Sequence, residues 1–223
     1  MAHLRTLAKA YYHAKTFLLT QGFCEEIDWQ YDVSLDRLLV QDFLSEAAWV
    51  ILNSGMRESI IRKLFPNFLR LFDNFQSTQW IIDNKEECRT NALNIFSHKG
   101  KIEAILVMIA FVNENGFEYT RDCIRSRGFE FISTFPYFGN ATSFHLAKNI
   151  GLSIGKPDRH LQRVAKLLGY EDMQKLCLDI SELTDEPIPV VDLVIWRYAT
   201  IKYQRIEQFS RIYLKLNTFE GNA

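Results

Sequence analysis

The chain has 223 residues, 48% of them hydrophobic, with 26 Lys and Arg against 27 Asp and Glu for a formal net charge of −1. That length supports a sizeable core in one larger domain or two small lobes, and near-neutrality means that any grip on a polyanion must come from how the charges are distributed. Charges such as Glu103, Glu114 and Asp192 interrupt every apolar stretch, which argues against a membrane span. The scattered cysteines Cys24, Cys88, Cys123 and Cys177, with no CxxC pair, indicate neither a zinc site nor a disulfide framework.

Helical periodicity runs through the whole chain and strand alternation is hardly visible, so the expected fold class is all-α. The opening MAHLRTLAKAYYHAK is amphipathic, without the apolar run and cleavage site of a signal peptide, and a cytoplasmic location is expected. Helices are predicted near residues 3 to 20, 36 to 53, 57 to 74, 88 to 111, 118 to 131, 140 to 150, 159 to 168, 171 to 183 and 190 to 216. Asp28 to Ser34 and Thr184 to Pro189 carry loop signals, the latter through Pro187 and Pro189. Trp49 and Trp80 are read as core aromatics, and Trp196 continues an apolar face with Val191, Leu193 and Ile195.

The most informative segment is FPYFGNATSFHLAKNIGLSIGKPDRHLQRVAKLLG, residues 135 to 169. Pro136 fixes its own φ and Gly139 supplies a position free of Cβ, after which Asn140, Ala141 and Thr142 open a helix whose first amides have no helical partner. Such amides bind anions, phosphate foremost. Ala141, Phe144, Ala147 and Ile150 recur at helical spacing, with Gly151 in the terminating position. Beyond Gly155 and Pro157, Asp158 stands as the N-cap of a second helix with the apolar face Leu161, Val164, Ala165 and Leu168. Between Arg121 and Lys166, eight basic residues (Arg121, Arg125, Arg127, Lys148, Lys156, Arg159, Arg163, Lys166) face three acids (Asp122, Glu130, Asp158), a local excess of five. If these share a face they attract phosphates; the alternative is a scatter of solvated charges.

FPYFGNAT followed by KPDRHLQRVAKLLG resembles the helix-hairpin-helix DNA glycosylase superfamily of base-excision repair, whose pattern is roughly LPGVGxxTA and then VDTHVxRVxxRLG. The resemblance implies a two-lobed helical bundle with a helix-hairpin-helix motif and an interlobe cleft for DNA and base. A central lobe of residues 35–150 would end in the hairpin, and residues 1–34 plus 151–223 would form a second lobe from both chain ends. Pro136, Gly139 and Thr142 match the hairpin, Asp158 matches the catalytic aspartate, and His160 and Arg163 match the HxxR that follows. Tyr137 departs from the pattern, standing where the family has glycine, so the turn must take a different φ or press an aromatic ring toward the DNA. Ala141 departs as well, standing where strand-cleaving members carry lysine. Alanine offers no amine for a Schiff base, which points to a monofunctional enzyme, with Lys156 the one candidate substitute.

Under the resemblance, hairpin residues 136–142, including Phe138 and Asn140, would grip phosphate through amides, and turn carbonyls would hold a monovalent cation. Asn53 and Arg57, between the helices of the stretch 38 to 72, are candidates for the residue entering the gap left by an extruded base. Residues 95–112 resemble the helix leading to the hairpin, and PVVDLVIWRYA resembles the last lobe. Trp29, Tyr31 and Trp196 are the candidate base pocket, with Tyr137 and Phe138 as further cleft aromatics, because a flipped base needs an aromatic or apolar sandwich. His160 would contact backbone or phosphate or fix the packing between lobes, and Lys156 would contact phosphate, lower the pKa of Asp158 or be merely solvated. His145 is expected to face solvent or a helix neighbour.

A carboxylate beside the sugar stabilises the positive charge that builds as an N-glycosidic bond breaks, and it can activate water. The implied activity is therefore hydrolysis of a damaged or modified base from duplex DNA by a monomer, with no cofactor, no resident metal and no membrane partner. Four clustered thiolates for an iron–sulfur cluster are not in the sequence. The alternative is a non-catalytic DNA-binding module in which Asp158 only caps its helix. A small-molecule enzyme finds no HExxH, GxGxxG or GxxxxGK[ST] motif to support it. The base removed, and a repair or anti-phage role, stay open.

Overall fold

The computed structural model describes residues 2–201 and residue 213, and among them every regular element is helical. The helices are α1 (Ala2–Thr20), α2 (Cys24–Asp32), α3 (Val40–Asn53), α4 (Glu58–Leu71), α5 (Thr78–Asp83), α6 (Lys85–Ile95), α7 (Lys99–Asn115), α8 (Phe117–Arg127), α9 (Phe129–Ile132), α10 (Asn140–Asn149), α11 (Arg159–Leu167), α12 (Met173–Thr184) and α13 (Ile188–Thr200), with a 3₁₀ turn at Asp73–Phe75. No described helix is long and apolar enough to cross a membrane. The chain forms two compact units, Ser34–Leu152 and Met1–Val33 with Ser153–Ala223.

In the unit drawn from both chain ends, α13 packs on α1, α2, α11 and α12. Leu7, Tyr11, Ala14 and Leu18 of α1 recur at helical spacing and meet Leu161, Val164, Met173, Leu176, Val194 and Ile195 in one buried cluster. This is the single apolar stripe expected of an amphipathic helix laid on a core. Asp28 to Ser34, expected as a loop, is mostly helical: α2 runs to Asp32 because Ile27 and Gln30, one turn apart, bury one face of it. The Thr184–Pro189 break shrinks to three residues. Pro189 lies in the first turn of α13, where its missing N–H is not needed. The predicted helix 190 to 216 is helical to Thr200, and residues 202–212 and 214–216 of it lie outside the described residues.

In the Ser34–Leu152 unit, α7 is buried nearly all round through Ile102, Ala104, Ile105, Leu106, Met108, Ile109 and Val112, as a central helix must be. It packs against α3, α5, α6 and α8. Phe65, Phe68, Phe72 and Phe75 form an aromatic ladder with centroids 6.3, 4.9 and 5.6 Å apart. The ladder carries α4 into a left-handed run at Asp73, Asn74 and Phe75 (φ 48 to 58°) that ends it. Two predicted helices are each split. Extended backbone at Phe96 divides 88 to 111, and Gly128 at φ +56° divides 118 to 131, a conformation glycine adopts freely. Trp80 is 43% exposed rather than core, since the short α5 turns Ile81 inward instead.

Candidate functional site

The turn between α9 and α10 is anchored by two phenylalanines. Phe135 packs edge-on to Phe111 (5.0 Å) and Phe131 (5.4 Å), and Phe138 is 3% exposed. Between them Pro136 and Tyr137 protrude, closed by a hydrogen bond from Phe138 N to Phe135 O of 3.2 Å. Phe138 is thereby withdrawn from the candidate contacts, because its ring is buried and its amide is spent inside the turn. Tyr137 has φ +68°, so it keeps the left-handed backbone that glycine adopts freely instead of changing it. This proline-then-left-handed order is that of a type II turn. The ring folds onto the start of α7, edge-on to His98 (5.8 Å) and against Gly100, where a Cβ would collide with the phenol.

After the turn, α10 opens without a side-chain cap. Its first backbone bond is from Ser143 N to Gly139 O (2.9 Å), so the amides of Asn140, Ala141 and Thr142 precede the helical ladder. The Thr142 hydroxyl donates to Tyr137 O (2.8 Å), taking up one carbonyl that a cation would use. At its far end α10 is tied by Asn149 Nδ2 to Glu46 Oε2 (3.0 Å). Burial raises the pKa of Glu46, against the lowering effect of that hydrogen bond.

Asn53 and Arg57 flank the turn between α3 and α4. Asn53 is half-buried, with its Oδ1 sealed from solvent and unpartnered, so it does not project. The tip is made by Gly55 (φ +69°) and Met56, which is 40% exposed, followed by exposed Arg57. Met56 is not among the sequence-derived candidates, although a glycine followed by an apolar residue between two helices is a signal for such a tip.

In the other unit, Asp158 caps α11, accepting from His160 N at 2.7 Å. The loop before it is bracketed by side chains from α12 and α13. The Gln174 carboxamide accepts from Gly155 N (3.1 Å) and donates to Gly155 O (2.6 Å), while buried Asp192 accepts from Lys156 N (2.7 Å). Asp158 N then closes on Lys156 O (2.7 Å). The carboxylate is thus held by its own helix, and the backbone that leads to it is bolted from 19 and 36 residues away. Neither Gln174 nor Asp192 was singled out from sequence as a site residue, though an acid inside the run PVVDLVIW was the clue to the second. The His160 ring accepts from Arg159 Nε (3.4 Å) and Arg163 is exposed.

The three base-pocket candidates all lie in this unit. Trp29 and Tyr31 stand two positions apart on a helix, about 200° around its axis, so they face different ways. The Tyr31 hydroxyl is bound to Glu186 and, at 2.7 Å, to Lys15. Trp196 is half-buried under the Arg197 guanidinium (4.7 Å), which also pairs with Glu26. Lys15 meets Glu186 at 2.5 Å. Burial alone would lower its pKa, but Glu186 and Tyr31 raise it overall.

The basic run from Arg121 to Lys166 divides between the two units, and its members in the Ser34–Leu152 unit are engaged locally. Arg121 binds Glu118 and Leu38 O, Arg125 binds Asp36 and Asp122, Arg127 lies over the Phe131 ring and Lys148 is buried. Arg159, Arg163 and Lys166 are exposed. Two local arrangements emerge, an uncapped helix start behind an exposed turn and a fixed carboxylate opening another helix. Comparison with models of known protein families, with curated proteins and with solved structures finds no match to this chain.

Proposed function

We propose that this chain is a monofunctional DNA glycosylase. The turn Phe135–Gly139 with α10 serves as the phosphate-gripping hairpin. Asp158 stabilises the oxocarbenium-like sugar, or activates water, as a damaged or modified base leaves duplex DNA. The observation that carries the reading is Tyr137 at φ +68°: the residue that departs from the resembled pattern still has the backbone that the pattern's glycine would take. Uncapped amides then follow as a ready anion site. Ala141 supplies no amine for strand cleavage.

The Asp158 carboxylate also accepts from His160 N, the contact of a plain helix cap, which is the observation behind a second reading, a DNA-binding module without catalysis. The test is release of free base from duplexes bearing alkylated, oxidised, deaminated or glucosylated bases, scored with and without alkali, for wild type and Asp158→Asn. Alkali-dependent strand breaks that vanish in the variant support the glycosylase. No release from any duplex, with salt-sensitive binding by both proteins, supports the module.

A further inference from the structure

Lys101 is 3% exposed, and its ammonium donates to Leu52 O (2.8 Å) and Ser54 O (2.5 Å), both backbone carbonyls. A buried cation normally sits against a carboxylate, since desolvating a charge without one is costly. Here burial does pull the lysine's pKa down. An apolar residue would fill the same space at lower cost, so the head group must be retained for what it holds. It holds the carbonyls that end α3, which otherwise have no helical donor. One ammonium spanning residues 52 and 54 fixes the exit of that helix, and Gly55 at φ +69° then throws Met56 outward. The Phe96 ring, 5.6 Å from Nζ, flanks the charge. The adjacent residue, Gly100, is the one whose missing side chain seats the Tyr137 ring. The first turn of α7 therefore registers two exposed turns, the one at residues 53–57 and the one at residues 135–139.

We infer that Lys101 is a positioning residue that holds the Asn53–Arg57 turn, with Met56 at its tip, in the shape that enters the gap left by an extruded base. This rests on the glycosylase reading. Apolar side chains are well suited to wedging between base steps.

The experiment measures equilibrium binding of the full chain to two duplexes identical except that one carries a tetrahydrofuran abasic site. Wild type is expected to prefer the gapped duplex. Lys101→Met, which keeps the apolar stem and loses the ammonium, is expected to bind the intact duplex within about twofold of wild type while its preference falls about tenfold, the scale of one apolar side chain's burial. In a chain already carrying Met56→Ala, Lys101→Met should add little, because the two act through one turn. A purely structural lysine would lower both affinities together. Retention of the full preference by Lys101→Met overturns the inference, as does unfolding of both Lys101→Met and Lys101→Gln. If wild type itself shows no preference and releases no base, the glycosylase reading fails and the inference with it. Base release by wild type with preference intact in the variant sinks the inference alone.

Discussion

At Phe135–Gly139 the chain is shaped by its own backbone: a proline, a left-handed tyrosine and a phenylalanine sunk on each side, all within five residues. At Gly155–Asp158 the backbone is shaped from afar, by the carboxamide of Gln174 and the carboxylate of Asp192. The first arrangement concentrates its constraint in one residue's φ. The second spreads it over hydrogen bonds whose loss leaves buried donors unpaired. A turn of the first kind tolerates change around it and not at its left-handed position, whereas a bracketed loop answers to distant residues.

The largest effect that sharpens this contrast is expected at Asp158. Asparagine caps a helix about as well as aspartate, so Asp158→Asn should leave the melting temperature nearly unchanged while base release falls on the order of 10²–10³-fold, the scale of losing a preorganised charge. Single-turnover release beside calorimetry checks both halves, and a large drop in stability would break the separation. Next comes Asp192→Ala, which strands the Lys156 amide. It should cost about 1–3 kcal/mol in urea unfolding and slow base release while sparing affinity for intact duplex. A parallel loss of duplex affinity would show that the bracket is not local.

On the other side of the comparison, Tyr137→Val places a β-branched residue at positive φ and should destabilise by about 1–3 kcal/mol. Tyr137→Gly relieves the backbone but forfeits the contacts with His98 and Gly100, so its net change should stay within about 1 kcal/mol. Equal losses in the two variants, read from denaturant midpoints, would mean that the ring and not the φ governs the turn. The smallest effect concerns Glu46, which ties the far end of α10. With its pKa raised by burial, the folded chain keeps a proton over a pH window in which the unfolded chain has lost it. Stability from this group is therefore full below the unfolded carboxylate pKa and is lost as pH rises through the folded one. Glu46→Gln should remove that decline, raising the melting temperature at pH 7 and changing little in acid. An identical shift at both pH values would exclude titration as the cause.

Helix α10 was legible to within a residue because Ala141, Ala147 and Ile150 repeat at helical spacing and Gly151 ends them. Helix α11 was equally clear, with Asp158 capping it as its position suggested. Helix α2 was not. Nine residues with only Ile27 and Gln30 buried give too little periodicity to outweigh the polar run that follows, and its stability comes from packing on α13. The breaks at Phe96 and Gly128 were hidden because apolar spacing continues through them. Of the candidate site, the turn and Asp158 were visible in local sequence, while Gln174, Asp192 and Lys101 act across 19, 36 and 47 to 49 residues. No local pattern encodes such contacts. The spread of Trp29 and Tyr31 around a helix was missed for the same reason that α2 was.

Gly151, at φ +94°, lies so close to residues 34 and 35 that a Cβ there would stand 2.7 Å from Leu35 N. The point where the chain enters the Ser34–Leu152 unit is thus beside the point where it leaves. A segment whose two ends meet is a cassette: it can be excised as one piece, and the gap it leaves in its host can be closed by a short linker. Residues 34–152 are therefore expected to fold alone and to be transplantable, with the identity of residue 151 as the clasp that decides whether the ends stay together.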